Sequence, residues 1–345
     1  MMMKRTFSFL AAAALTLPLF SFSTPATAQE LRVVTHSSFS LPKPMLAQFE
    51  AQAGVKLSII KAGDAGEMLN KLILTKAQPI ADVVFGLDNA LITRAQAAGV
   101  IEPYAGAAQQ RAVAGATLAT GVVSVDYGFV TLNYDRAAFA KSGLALPKTL
   151  EELTLPRYRD LLVVQNPATS SPGQAFLLAT VAGMGETAAF DWWARMRANG
   201  VKVVKGWTEA YYTEFSRNGG TRPLVVSYAT SPAAEVFYSK EKITEPPTGN
   251  LFLKGGVFRQ VEGVALVKGG GQREAAVKFI EFMRSPAAQE ALQTTMWMFP
   301  AEPGVARPEV MRHASEPASF DNPSSEAIAE KGADWVSRWT RVVLK

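Results

Sequence analysis

From Leu31 onward, short apolar runs alternate with stretches of helical periodicity. Leu31 to Thr35 has the length and β-branched content of a buried strand, and it ends at His36-Ser37-Ser38-Phe39. Met45, Leu46 and Phe49 then fall on one helical face, and Gly54 is placed to stop that helix. Val55, Leu57 and Ile59 alternate as a second strand, Asp64 occupies the loop behind it, and Met68, Leu69, Leu72 and Ile73 mark the next helix. Ala81 to Phe85 predicts a third strand, followed by Gly86-Leu87-Asp88-Asn89 as a loop before another helix. This is a βαβαβ unit with polar loops at every strand end, the arrangement of a ligand-binding parallel sheet.

Two runs are too long for ordinary strands of one sheet. Val122 to Asn133 and Gly256 to Val267 predict extended strands that leave one lobe and enter another, so the chain crosses twice. Between them the alternation resumes. A helix around Phe190 to Arg197 carries Trp192 and Trp193, which point about 100° apart and suit core packing. After the second crossing, two helical patterns between Glu274 and Leu292 meet at Arg284-Ser285-Pro286, where Ser285 can cap and Pro286 can occupy the first turn. Val305 to Ser325 is rich in Pro and Ser and reads as a loop, and the amphipathic tail through Trp335 and Trp339 is expected to pack back on the body.

The N-terminus changes the compartment. Lys4 and Arg5 precede an apolar segment from Phe7 to Phe22, and Ala26-Thr27-Ala28 fits a small-x-small cleavage site, so residues 1–28 read as a secretory signal peptide and Gln29 as the mature start. No later apolar run has the roughly 18 residues of a membrane span. The formal charge of +5 includes Lys4 and Arg5, and no polybasic block occurs, which argues against a nucleic-acid surface. Cysteine is absent and only His36 and His313 are present, which excludes disulfides, thiol nucleophiles and the usual zinc constellations.

Two stretches share one design. Leu224 to Val236 and Leu161 to Phe176 each run from an apolar strand through hydroxyl residues into a helix started by proline, Pro232 and Pro172. Helix starts offer free N–H groups, so two of them lined with hydroxyls predict convergence on one ligand. Between them, Trp207, Tyr211 and Tyr212 follow the strand Val201 to Val204 and offer rings for a flat or cationic ligand.

With these stretches in order, the chain resembles the thiamine-binding proteins of bacterial ABC importers, within the type II periplasmic binding proteins. The resemblance rests on residues 81–89 (ADVVFGLDN), 126–128 (DYG), 166–173 (NPATSSPG), 205–211 (KGWTEAY), 227–232 (SYATSP) and 297–300 (WMFP). It implies an α/β fold of two lobes with a ligand cleft between them, closing to present a docking surface to a membrane permease. The division expected is residues 29–126 and 262–312 in lobe 1, 127–261 in lobe 2 and 313–345 as the tail. By matched position, Asp64 with Ala65 would hold the aminopyrimidine, and Ser170 and Ser171 the hydroxyethyl or phosphate end. Trp207 and Trp297 would supply ring faces, while Tyr228, Ala229, Thr230 and Ser231 would complete the polar wall and His36 would add a contact. The ligand implied is thiamine or its mono- or diphosphate, carried by a periplasmic monomer without a cofactor.

The chain departs from the family's pattern at three places. His36 replaces an aromatic residue, the segment Ser40-Leu41-Pro42 is shortened and lacks a tryptophan, and Ala234 stands where tyrosine is frequent. Two other readings compete with this one. Tyr211, Tyr212 and His36 also suit a ferric site like those of relatives with this fold. A thiamine-cleaving enzyme would need a cysteine thiolate, which this chain lacks.

Overall fold

In a computed structural model the chain is described for residues 29–119 and 121–345. The signal-peptide expectation lies outside the described residues. The first unit runs β1 (Gln29–Thr35), α1 (Lys43–Ala53), β2 (Val55–Lys61), α2 (Ala65–Leu74), β3 (Val83–Asp88), α3 (Ile92–Ala98) and β4 (Ile101–Glu102). It is followed by β5 (Val122–Asp135), α4 (Arg136–Ser142), β6 (Leu162–Gln165), α5 (Ser171–Met184), α6 (Glu186–Ala198), β7 (Lys202–Val204), α7 (Trp207–Glu209), β8 (Leu224–Tyr228), α8 (Ser231–Phe237) and β9 (Thr248–Leu251). The chain finishes with β10 (Phe258–Val267), α9 (Arg273–Met283), α10 (Pro286–Thr295), β11 (Phe299–Pro300) and α11 (Ser325–Val343).

The strands form one mixed sheet in the order β2-β1-β3-β10-β5-β8-β6-β7. Parallel triplets lie at its two ends, β2-β1-β3 and β8-β6-β7, and the antiparallel pair β10 and β5 joins them. Both joining strands serve both lobes: β5 pairs with β10 over Val122 to Val130 and with β8 over Val130 to Tyr134. The register shifts at Glu262/Gly263 against β5 and at Gly263/Val264 against β3, local irregularities that bend and twist a strand.

The helix ends follow their sequence signals. Gly54 closes α1 at φ 71°, a left-handed conformation that suits glycine, and the Ser285 hydroxyl accepts the Ala288 N–H at the start of α10. Three strand ends differ from the pattern. β3 continues through Gly86-Leu87-Asp88 because β10 pairs with it as far as Glu262 opposite Asp88. β8 includes Ser227 and Tyr228 because β5 places Thr131 and Val130 opposite them. β1 begins at Gln29, paired with Val55 of β2.

Each lobe has its own core. Phe176, Trp192, Trp193 and Phe258 fill the second, and Trp335 and Trp339 of α11 join them, with the Trp193 and Trp339 rings 5.4 Å apart. The first is packed on both faces of β1 and β3, with Met68, Leu69 and Leu72 of α2 on one side and Phe49 and Phe279 on the other.

Candidate functional site

A cavity of ≈ 370 Å³ lies where the strand-end loops of the two lobes meet, within the range typical of small-ligand sites. Lobe 1 contributes His36 and Ser38 after β1, Asp64 and Ala65 at the start of α2, Glu262 from β10, and Met296, Trp297 and Met298 before β11. Lobe 2 contributes Ser171 and Pro172 at the start of α5, Trp207 of α7, Tyr211 and Tyr212 from the π-helical turn Ala210–Glu214, Tyr228 of β8, and Thr230, Ser231, Glu235 and Tyr238 from α8 and its flanks. Among the described residues, three carboxylates and six tyrosine or tryptophan rings thus face the cavity, and no lysine or arginine lines it.

The rings are held in place by one another and by hydrogen bonds. Trp207 stacks on Tyr211 at 5.1 Å and 21° and meets Tyr212 edge-on at 5.5 Å. Its indole N–H donates to Ser227 Oγ at 2.9 Å, and Ser227 lies 3.0 Å from Ser231 Oγ, so both hydroxyls of the second helix start are tied to this ring. Tyr211 donates to Glu235 at 2.9 Å, while Arg217 pairs with the other carboxylate oxygen at 3.4 Å. Burial, with Glu235 beside it, pushes the Tyr211 phenol well above its ordinary range. Across the cleft, Trp297 adopts φ 60° and packs against Phe237 and Tyr238 at 5.2 and 5.6 Å. That left-handed conformation is uncommon for an aromatic residue and marks local strain.

Asp64 spans the lobes: its carboxylate accepts the Trp207 backbone N–H at 3.0 Å instead of capping its own helix. Nearby, the Glu67 N–H donates to the Thr169 carbonyl at 3.0 Å, and Lys205 pairs with Glu67 at 3.0 Å. Glu262 lines the cavity, and two further acids, Asp88 and Asp126, are fully buried outside its lining. Asp88 accepts the Ala90 and Leu91 N–H groups at 2.9 and 3.0 Å and also the Ser171 hydroxyl, and burial pushes its carboxyl up to about 7. Asp126 is fully buried with neither oxygen hydrogen-bonded, and burial together with Glu262 pushes it well above the carboxylate range. His36 accepts the Ser38 N–H on Nδ1 at 3.2 Å and turns Nε2 toward Glu262, 3.6 Å away. Burial lowers the His36 pKa and Glu262 raises it, with a net upward shift. The ring lies against Gly86, at φ 100°, where a Cβ would come within 2.3 Å of His36 Cδ2.

Of the residues expected from sequence, His36, Asp64, Ala65, Ser171, Trp207, Tyr228, Thr230, Ser231 and Trp297 line the cavity together. Ser170 and Ala229 do not. Ser170 is the buried residue preceding α5, with its hydroxyl unpartnered, and the fully buried Ala229 packs in the lobe 1 core cluster. Glu262, Glu235, Tyr238 and Met298 were not expected. Glu235 lies one helical turn after Ser231, a spacing that could have revealed it. Glu262 carries no local signal, because one acid within an apolar strand does not say what faces it. Of the two tyrosines of the ferric reading, Tyr211 is engaged by Glu235 and Trp207. Among the described residues no group of three or more His, Cys, Asp or Glu could hold a metal ion.

Residues 78–331 match the family model of the bacterial extracellular solute-binding proteins. The chain is 33% identical to the thiamine-binding periplasmic protein of Salmonella typhimurium, over 91% of this chain and 94% of that one. It is 25% identical to the iron uptake protein A1 of Synechocystis, over 82% of this chain and 78% of the relative. A solved periplasmic thiamin binding protein superimposes with a TM-score of 0.80 at 32% identity, covering 91% and 96% of the two chains.

Proposed function

The chain belongs to the bacterial extracellular solute-binding protein family, and we propose that it captures thiamine, or its mono- or diphosphate, in the periplasm and delivers it to the permease of an ABC importer. The observation that carries this reading is a cavity walled by aromatic rings and carboxylates with no lysine or arginine lining it among the described residues. Thiamine has a fixed thiazolium charge and a flat aminopyrimidine. Ring faces and carboxylates are what those groups require, each cation–π contact contributing roughly 0.5–2 kcal/mol. In this reading Asp64 accepts from the aminopyrimidine, Trp207 and Trp297 offer ring faces, and Ser171 at the start of α5 meets the hydroxyethyl or phosphate end. Ligand entry draws the lobes together about β5 and β10, and the closed form is what the permease recognises. The protein acts as a monomer, uses no cofactor and performs no catalysis; thiamine is its cargo. The Tyr211–Glu235 hydrogen bond and the stacking of Trp207 on Tyr211 support this reading over a ferric site.

Calorimetry on the mature chain should detect thiamine at micromolar concentration or below. Thiamine monophosphate, thiamine diphosphate, the free aminopyrimidine and ferric ion serve as comparisons. Absence of binding by every thiamine compound, with binding of ferric ion, would overturn the assignment.

A further inference from the structure

Among the described residues, the acids Glu262, Asp88 and Asp126, in and behind the cavity wall, have no lysine or arginine to balance them. Glu262 is turned by Gln260, whose amide donates to Oε1 at 2.9 Å, and its other oxygen faces His36. The titratable groups that interact with it are His36 after β1, Asp88 of β3, Asp126 of β5 and Tyr228 of β8, and Asp64 at α2 acts in turn on His36 and Tyr228. Among the described residues, no lysine or arginine pairs with Asp64, Asp88, Asp126 or Glu262. His36 is the base beside Glu262, which raises its affinity for a proton, but charging it has a structural cost. Its Nδ1 already accepts a backbone N–H, so its single ring proton sits on Nε2 beside Glu262, and a second proton would displace the Ser38 bond.

Two observations point from this cluster to a ligand. His36 Nε2 is buried, lines the cavity and has no hydrogen-bond partner within the protein, and the same is true of Thr230 Oγ1. Aromatic rings also wall the space above, an environment that holds cations by their π faces. Resting on the thiamine reading, we propose that Glu262 is the counter-charge of the ligand's cation. Together with His36 and with Asp88 and Asp126, the buried strand neighbours of Glu262, it forms an acid cluster that releases a proton when the cation enters.

The physical reason is the cost of buried charge. Several unpaired carboxylates in a low-dielectric cluster cannot all ionise, so the cluster stays near neutrality by keeping protons. Burial pushes Asp126, beside Glu262 in the β5–β10 register, toward its protonated form, and pushes Asp88 up to about 7. A cation entering the cavity favours the ionised carboxylates. A carboxyl O–H bond breaks, the proton passes to solvent, and the thiazolium takes over the balance of charge. The coupling runs in one direction with pH: acid opposes capture, because the protons compete with the cation.

Calorimetry of the mature chain with thiamine, in buffers of different ionisation enthalpy at pH 7, counts the protons released. A fraction of one proton, up to about one, is expected. Affinity should be about tenfold weaker at pH 6 than at pH 8, a range over which the thiazolium remains cationic. Glu262→Gln should weaken thiamine binding about tenfold or more and flatten the pH profile, with an unchanged melting temperature reporting that it folds. If that variant misfolds, the proton count on the unsubstituted chain decides alone. Thiamine binding with no proton release and equal affinity at pH 6 and 8 overturns this inference and leaves the ligand assignment standing. Absence of thiamine binding at every pH overturns both.

Discussion

The contact between the lobes at Gly66 can be tested with one methyl group. Gly66 is buried in the first turn of α2, and the following residue, Glu67, donates its N–H to the Thr169 carbonyl of lobe 2 at 3.0 Å. A Cβ on Gly66 would lie 2.8 Å from the Thr169 carbonyl carbon and 2.9 Å from its oxygen. Both atoms are backbone and cannot rotate aside. Carbon atoms are comfortable at about 3.5 Å or more, so the two segments must part by roughly 0.7 Å, which carries the Glu67–Thr169 bond beyond hydrogen-bond range. Overpacking of this kind costs roughly 1–3 kcal/mol, about a 5- to 150-fold loss of affinity if the closed form is the binding form. The substitution should not harm folding, since alanine is favoured over glycine in a helix by roughly 0.5–1 kcal/mol. Gly66→Ala is therefore expected to weaken thiamine binding in calorimetry and, if the lobes close on the ligand as proposed, to give a smaller ligand-induced fall in radius of gyration in small-angle scattering than the unsubstituted chain. The melting temperature without ligand should hold or rise. Full affinity with a normal scattering change would refute the reasoning. A melting temperature several degrees lower would show that the contact belongs to folding and not to closure.

Two further outcomes are expected. Holding the fully buried Asp88 at about 7 instead of 3.8 means the folded chain keeps a proton that the unfolded chain has lost. Stability is then highest below about pH 4 as far as this group is concerned, and on the order of 4 kcal/mol is lost as pH rises through 7. Asp88→Asn keeps an oxygen for the Ala90 and Leu91 N–H groups and should lose less stability between pH 5 and 7.5 than the unsubstituted chain in urea titrations; an equal loss in both would contradict this. Trp207→Phe retains a ring to stack on Tyr211 but removes the donor to Ser227. It should weaken thiamine binding by a few-fold, less than Trp207→Ala in the same calorimetric series, and equal losses would mean that ring stacking contributes nothing.

What the sequence determined by itself is the local, repeating part of this protein. Residues a few places apart set helical and strand periodicity, so the alternation of elements, the Gly54 and Ser285 helix ends and the two proline-started helices were all readable along the chain. The burial of Trp192 and Trp193 followed in the same way from their helical setting. The tertiary structure decided what depends on distant partners. β3 runs through Asp88 and β8 through Tyr228 because β10 and β5 supply ladder partners there. Of two adjacent serines, only Ser171 faces the cavity, because Ser170 lies in the extended backbone just before the helix turns. Asp64 meets Trp207 across 143 residues of chain, and Asp126 meets Glu262 only because two long strands pair antiparallel. A carboxylate's charge depends on how many like charges and how little water surround it, and those neighbours are assembled by folding, so no spacing along the chain announces them.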